Sequence, residues 1–237
     1  MIRGILFDKD GTLLDFDATW LPPYRKAVSF LESEFPGGPT ADELMEAGGY
    51  DIQNQCWRKE SVLASATNQD ILDLWSSMIG ESLEGKYKKH LSKIFLRAED
   101  SYVPAVEDLK SCMQELKDMN ISLGIATMDD EASVSQMLGK LSLHGIFDFS
   151  CGADSGFGVK PEPGMINQFL RDTGVQADQC MMVGDSPRDL QMGRNAGAAL
   201  CVGVLTGAHT EEMLAPYADV VLKNIGEIKD YLGTNPC

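Results

Sequence analysis

The stretch Ile2-Arg3-Gly4-Ile5-Leu6-Phe7-Asp8-Lys9-Asp10-Gly11-Thr12 decides how this chain folds. Its apolar run, Ile2–Phe7, reads as a buried strand, and two carboxylates follow at the strand's end. Side chains alternate faces along a strand, so this spacing predicts that Asp8 and Asp10 share one side while Lys9 points away. Two close carboxylates repel unless a cation or a shared proton neutralises them. Mg²⁺ suits such a pair, because it prefers hard oxygen ligands and commonly takes one or two carboxylates plus a phosphate oxygen. A carboxylate beside that ion is also a candidate phosphoryl-accepting nucleophile. Gly11 permits a sharp turn, and Thr12 can satisfy local backbone groups. A calcium loop fails on register: counted from Asp8, its glycine position holds Leu13 and its closing glutamate position holds Thr19.

Composition narrows the class. The 237 residues can hold one large domain or two small ones, and the 43% hydrophobic content argues for a folded globular protein. A net charge of −16 opposes nonspecific binding to nucleic acid or to anionic membranes. A phosphorylated substrate would then need local positive groups: a metal, a lysine or helix N-termini. None of the six cysteines falls in a C-x-x-C pair, which disfavours zinc, and Cys180 and Cys201 lie in apolar runs as small core residues. No apolar run has the length of a membrane span, and the N-terminus carries no charged-then-apolar signal pattern. The expectation is a reduced, cytoplasmic protein.

Further apolar runs at Ile121–Ala126, Phe147–Cys151, Cys180–Val183, Ala199–Val204 and Val220–Leu222 read as strands. Amphipathic stretches separate the later ones: Ala105–Met119, Glu131–Leu141, Glu162–Thr173 and Pro187–Ala196. This alternation predicts an α/β fold with a doubly wound parallel sheet, its ligand site beyond the carboxyl ends of the strands. From Asp15 to about Ala98 no strand is evident. Helical patterns run from Pro22-Pro23 to Phe35, from a capping box at Thr40 and Glu43, and over Ile52–Ser65, Asp70–Ile79 and Leu83–Arg97. The expected organisation is a catalytic core of residues 1–14 and 99–237 with an all-helical cap domain, 15–98, inserted after the first strand and able to cover the strand ends.

Three further strand ends carry polar residues. Thr127 follows Ile121–Ala126, as a phosphate-binding hydroxyl or a plain turn residue. Lys160 precedes Pro161, which can take the first helical position. A lysine there opposes the helix dipole, and an anion between the two would reconcile them; alone, it reads more readily as a solvated lysine. Gly184-Asp185-Ser186-Pro187-Arg188-Asp189 closes the Met181–Val183 run and opens a helix, with Asp189 one turn beyond Asp185. Four polar clusters at four strand ends are hard to explain as turns alone.

In this order, Asp8-Lys9-Asp10-Gly11-Thr12, Thr127, Lys160-Pro161 and Gly184–Asp189, the chain resembles the haloacid dehalogenase superfamily, in particular its phosphoglycolate phosphatase-like group. The resemblance implies a Mg²⁺-dependent phosphatase acting on a small phosphate monoester. Asp8 would be the nucleophile and Asp10 the general acid and base. Mg²⁺ would be held by Asp8, the backbone carbonyl of Asp10, and Asp185. Thr127 and Lys160 would grip the phosphoryl group, and Asp189 would orient Lys160 or a metal-bound water. Two positions depart from the family pattern. Lys9 is charged where many relatives are apolar, and Met128 replaces a common asparagine.

A phosphomutase of the same superfamily is the first rival, and a non-catalytic phosphate sensor the second. The cap would separate phosphatase from mutase. There, Gly48-Gly49-Tyr50 reads as a specificity loop or a helix–helix turn, and Arg58 or Lys59 could meet a substrate carboxylate. Gly80–Tyr87 has P-loop spacing but no preceding strand, and its glutamates would repel phosphate. His90, His144 and His209 form no ligand spacing and read as surface or packing residues.

Overall fold

The computed structural model describes residues 1–58, 61–98 and 102–234. In chain order the elements are β1 (Gly4–Phe7), α1 (Phe16–Glu34), α2 (Ala41–Ala47), β2 (Tyr50–Asp51), β3 (Cys56–Trp57), α3 (Val62–Ser65), α4 (Asn68–Ile79) and α5 (Lys86–Ala98). Then come α6 (Leu109–Asp118), β4 (Ser122–Ala126), α7 (Glu131–Lys140), β5 (Phe149–Cys151), α8 (Gly164–Thr173), β6 (Cys180–Gly184), α9 (Pro187–Asn195), β7 (Leu200–Val204), α10 (Glu211–Leu214), β8 (Val220–Leu222) and α11 (Ile228–Thr234). The chain divides into two compact units, Met1–Phe16 with Val103–Cys237, and Asp17–Tyr102. Among the described residues no helix is long and apolar enough to cross a membrane.

The first unit is built on a six-stranded sheet in the order β5-β4-β1-β6-β7-β8, with every pairing parallel. All four residues of β1 and all five of β6 are buried, as both faces of a helix-covered sheet require. Phe169, from α8, shows how closely the helices approach. A Cβ on Gly124 would lie 2.7 Å from its ring, and one on Gly4 3.1 Å, so the ring rests directly on strand backbone. It packs with Leu6, Met165, Ile166, Cys180 and Met182 in one core cluster. Fully burying a side chain of that size stabilises by about 2–3 kcal/mol. Cys180 and Cys201 are core residues, and burial pushes their thiols up to about 12 and about 11.

The second unit is helical except at one place. Ile52–Ser65, expected as a helix, forms a turn, the β3 strand and the short α3, with Tyr50–Asp51 and Cys56–Trp57 pairing antiparallel. The turn is closed by Asp51, whose side chain accepts from the Asn54 N–H at 2.8 Å and pulls its own carboxyl below the usual range. Cross-strand aromatic packing adds to it, with Tyr50 and Trp57 rings 4.8 Å apart. The first helix also differs from expectation. It begins at Phe16, and Pro22 and Pro23 lie inside it. A stripe of buried side chains, Phe16, Trp20, Tyr24, Ala27, Val28 and Leu31, runs straight past the two prolines, and its packing overrides the local preference for proline at a helix start. Thr40 and Glu43 form the reciprocal capping box of α2.

Candidate active site

The register of the sheet sets the site. Phe7, the last residue of β1, pairs with Ile125 of β4 on one side and Val183 of β6 on the other. Asp8, Thr127 and Asp185, the residues that follow the ends of β1, β4 and β6, therefore leave three adjacent strands at the same edge. The Asp8 N–H continues the ladder to the Val183 carbonyl at 2.9 Å. The strand itself stops at Phe7, so side-chain alternation does not govern Asp8, Lys9 and Asp10. The chain instead turns tightly, with the Lys9 carbonyl accepting from the Leu13 and Leu14 N–H groups at 3.0 Å each. Lys9 does not point away from Asp10: its ammonium is fully buried and lies 2.7 Å from Asp10 Oδ2 and 3.3 Å from Asp129 Oδ2.

Asp8, Asp185 and Asp189 are buried, and a carboxylate oxygen from each lies within 4.8 Å of the others. An ammonium lies among them. Lys160, 3% exposed, places Nζ 2.5 Å from Asp8 Oδ1 and 2.6 Å from Asp189 Oδ1, the latter an ion pair without hydrogen-bond alignment. Lys160 is thus not a solvated lysine. Nor does Pro161 begin a helix. The Glu162 N–H closes a turn onto the Val159 carbonyl, and α8 starts only at Gly164, where a Cβ would collide with the Phe157 carbonyl oxygen. The lysine comes from this turn, away from the helix start.

The Gly184–Asp189 segment behaves as its sequence suggests. Ser186 caps α9, Pro187 takes the first turn, and Asp189 completes the capping box, its Oδ2 accepting from the Ser186 N–H at 3.1 Å and Oγ at 2.6 Å. Gly184 permits this: a Cβ there would lie 2.3 Å from Asp189 Cβ. Asp189 is therefore committed on both oxygens, one to the cap and one to Lys160. The Thr127 hydroxyl is buried and accepts from the Asp129 N–H at 3.1 Å.

A loop after β7 encloses Asp185. The Ala208 N–H donates to Asp185 Oδ2 at 3.1 Å, and a Cβ on Gly207 would fall 1.8 Å from that same oxygen. The Thr206 hydroxyl donates to the Gly11 carbonyl at 2.7 Å. His209 is buried here, Nδ1 3.8 Å from Asp185 Oδ2. The sequence reading placed it among surface or packing residues. Its signal was its position shortly beyond the carboxyl end of a core strand, the place already singled out for the aspartates.

Burial dominates the electrostatics. It raises the Asp8 carboxyl well above the usual range, against the pull of Lys160, and Asp189, Asp185 and Asp10 push it further up. Asp185 is raised chiefly by burial as well, with His209 acting in the opposite sense. The two carboxyls raise Lys160 above its usual value despite its desolvation. Three buried aspartates facing one ammonium leave an excess of negative charge among hard oxygen donors. A divalent cation of the Mg²⁺ kind fits that deficit, with Asp8 and Asp185 as the carboxylates not tied into a helix cap.

In the second unit the candidate specificity residues are spoken for. A Cβ on Gly49 would lie 2.5 Å from Ser61 Cα, so that glycine serves chain packing, and Tyr50 is buried against Trp57. Arg58 pairs with the Glu46 carboxylate and donates to the Glu46 carbonyl at 3.2 Å. Lys59 lies outside the described residues.

A parallel sheet whose central strand ends in a buried carboxylate cluster around one lysine defines a hydrolase-type α/β site. The chain belongs to the haloacid dehalogenase-like hydrolase family, whose pattern matches residues 5–202. It is 27% identical over 243 residues to a phosphoglycolate phosphatase of Salmonella typhi, covering 98% of this chain and 93% of that protein. It is 22% identical to a pyrophosphatase, PpaX, of Oceanobacillus iheyensis, covering 98% and 97%. Its fold also resembles that of a β-phosphoglucomutase of Clostridium difficile, with a TM-score of 0.67, 18% identity, and coverage of 99% and 96%.

Proposed function

We propose that this protein is a Mg²⁺-dependent phosphatase that hydrolyses a small phosphate monoester through an aspartyl-phosphate on Asp8. The observation that carries this reading is Lys160 Nζ bridging Asp8 and Asp189 inside the buried aspartate cluster. A nucleophilic carboxylate must be ionised, and burial works against that at Asp8. Lys160 supplies part of the compensation and fixes the rotation of the carboxylate through Oδ1. Asp8, the Asp10 backbone carbonyl and Asp185 would hold Mg²⁺, which when bound offsets the repulsion between Asp8 and an anionic phosphoryl group. The free Asp8 oxygen forms the bond to phosphorus as the bond to the leaving oxygen breaks, and the Asp10 carboxylic acid gives that oxygen its proton. Asp10, now a carboxylate, takes a proton from water as the water oxygen attacks phosphorus and Asp8 is released. Thr127 and Lys160 meet the phosphoryl oxygens, where charge compensation and positioning do most of the catalytic work. Asp189 holds Lys160 in place from the start of α9. The inserted unit is read as the family's cap, which sets the substrate.

The names of relatives favour phosphoglycolate as substrate, with pyrophosphate, an anhydride and not an ester, beside it. The test is turnover of p-nitrophenyl phosphate with Mg²⁺ and with chelator, in wild type and Asp8→Asn. Loss of turnover in both the chelated protein and the variant is expected; wild-type turnover by Asp8→Asn would falsify the assignment. The structural likeness to a β-phosphoglucomutase supports a mutase as the second reading. Release of inorganic phosphate in stoichiometric amounts from a sugar phosphate, with no isomer formed, excludes it.

A further inference from the structure

Lys9 is fully buried, a costly place for an ammonium, which loses several kcal/mol of hydration that its partners must return. An apolar side chain would fill the space without that cost. What the ammonium provides instead is a fixed geometry. It holds Asp10 Oδ2 at 2.7 Å and Asp129 Oδ2 at 3.3 Å. Asp129 is itself anchored: its Oδ1 accepts from the Asp130 N–H at 2.9 Å, and its own N–H donates to the Thr127 hydroxyl at 3.1 Å. Below, the Lys9 carbonyl is gripped by the N–H groups of Leu13 and Leu14. The side chain is thus a strut between the loop after β1 and the loop after β4, and Asp10 hangs on it.

We propose that Lys9 is a positioning residue, which with Asp129 aims the Asp10 carboxyl at the leaving-group oxygen. This rests on the reading of Asp10 as the general acid. A misplacement of about 1 Å can cost about 100-fold in rate, so a rigid tether on a proton donor has a measurable consequence. The consequence is selective. p-Nitrophenolate departs readily as an anion, whereas phenolate needs its proton delivered. A tether that aims the donor matters more for phenyl phosphate than for p-nitrophenyl phosphate. A residue that merely stabilises the fold lowers both equally.

The experiment compares kcat and KM of the Mg²⁺-loaded protein for these two esters in wild type, Asp10→Asn, Lys9→Met, Lys9→Arg and Asp129→Asn. Lys9→Met is expected to lose about tenfold more kcat on phenyl than on p-nitrophenyl phosphate, with KM for each within about twofold of wild type. Asp129→Asn should show the same bias at smaller size, and Lys9→Arg should recover most of it. Equal losses on both esters in Lys9→Met and Asp129→Asn, beside a biased loss in Asp10→Asn, overturn the role of Lys9 and leave Asp10 as the acid. An unbiased loss in Asp10→Asn overturns the acid assignment and the tether with it. Should Lys9→Met fail to fold, Asp129→Asn decides alone.

Discussion

Lys160 and Arg58 make the same kind of contact in two regions of the molecule, and they are worth very different amounts. Lys160 sits buried between carboxylates that are themselves almost wholly buried. Arg58 lies half exposed against Glu46 in the inserted unit. In water an exposed pair is screened and mobile; inside the sheet edge the same charges are desolvated and held in fixed geometry. The Lys160 pairs are buried and fixed, while the Arg58 pair faces solvent and serves local packing.

Substitutions can break this contrast in graded steps. The largest effect is expected from Asp8→Asn, which should lower kcat by about 10⁴-fold or more, since losing a nucleophile removes the reaction path itself. Lys160→Met leaves buried carboxylates without their ammonium and should destabilise the metal-free protein by about 3–5 kcal/mol, read from urea melts in chelator. A loss below about 1 kcal/mol, like that expected for Arg58→Ala, would show that the two regions do not differ.

A gentler probe is pH. Burial raises Asp8 and Asp185, so the folded, chelated protein retains protons that the unfolded chain has already released. That contribution is intact below the ordinary carboxylate value of about 4 and is lost as pH rises through the elevated folded values. Melting temperature in chelator should therefore fall as pH rises from about 4 toward neutrality, and Mg²⁺ should flatten the slope. A chelated protein whose melting temperature climbs steadily over that range would contradict burial as the dominant influence.

Two glycines sharpen the same comparison. Gly207→Ala drives a methyl into Asp185 Oδ2, and is expected to weaken Mg²⁺ binding by about tenfold in calorimetric titration, roughly 1.4 kcal/mol. Gly37→Ala in the inserted unit meets no atom within 4 Å, and only its φ of +86° opposes it, so about 1 kcal/mol of stability should be lost with Mg²⁺ affinity unchanged. Arg58→Ala should have the smallest effect of all, within about twofold in kcat/KM, because its guanidinium is already spent on Glu46.

The strands of the sheet were legible because the central pair, β1 and β6, is wholly buried and apolar, and even the half-buried edge strand β8 reads as an apolar run. The aspartates were legible because they stand where those runs stop. His209 was missed: it reaches Asp185 through a loop from another strand, and its one mark in the sequence was its place shortly beyond β7. The departures at Lys9 and Met128 looked unrelated on the chain. In the fold Lys9 pairs with Asp129, the residue that directly follows Met128. Nor could local rules anticipate Pro22 and Pro23 within α1, or the Tyr50–Trp57 ladder, because side-chain packing decides both.

The seam where the inserted unit departs and returns has its own implication. The Asp15 N–H meets the Val103 carbonyl at 2.9 Å, the Ala105 N–H meets the Leu13 carbonyl at 3.0 Å, and Leu14 bridges Pro104. Both ends of an 86-residue excursion, Asp17–Tyr102, are thus stitched together by the parent unit before the excursion begins. Closure entropy grows only slowly with the length of what lies between such ends. The parent unit can therefore accept modules of other sizes at this junction without rebuilding its own sheet.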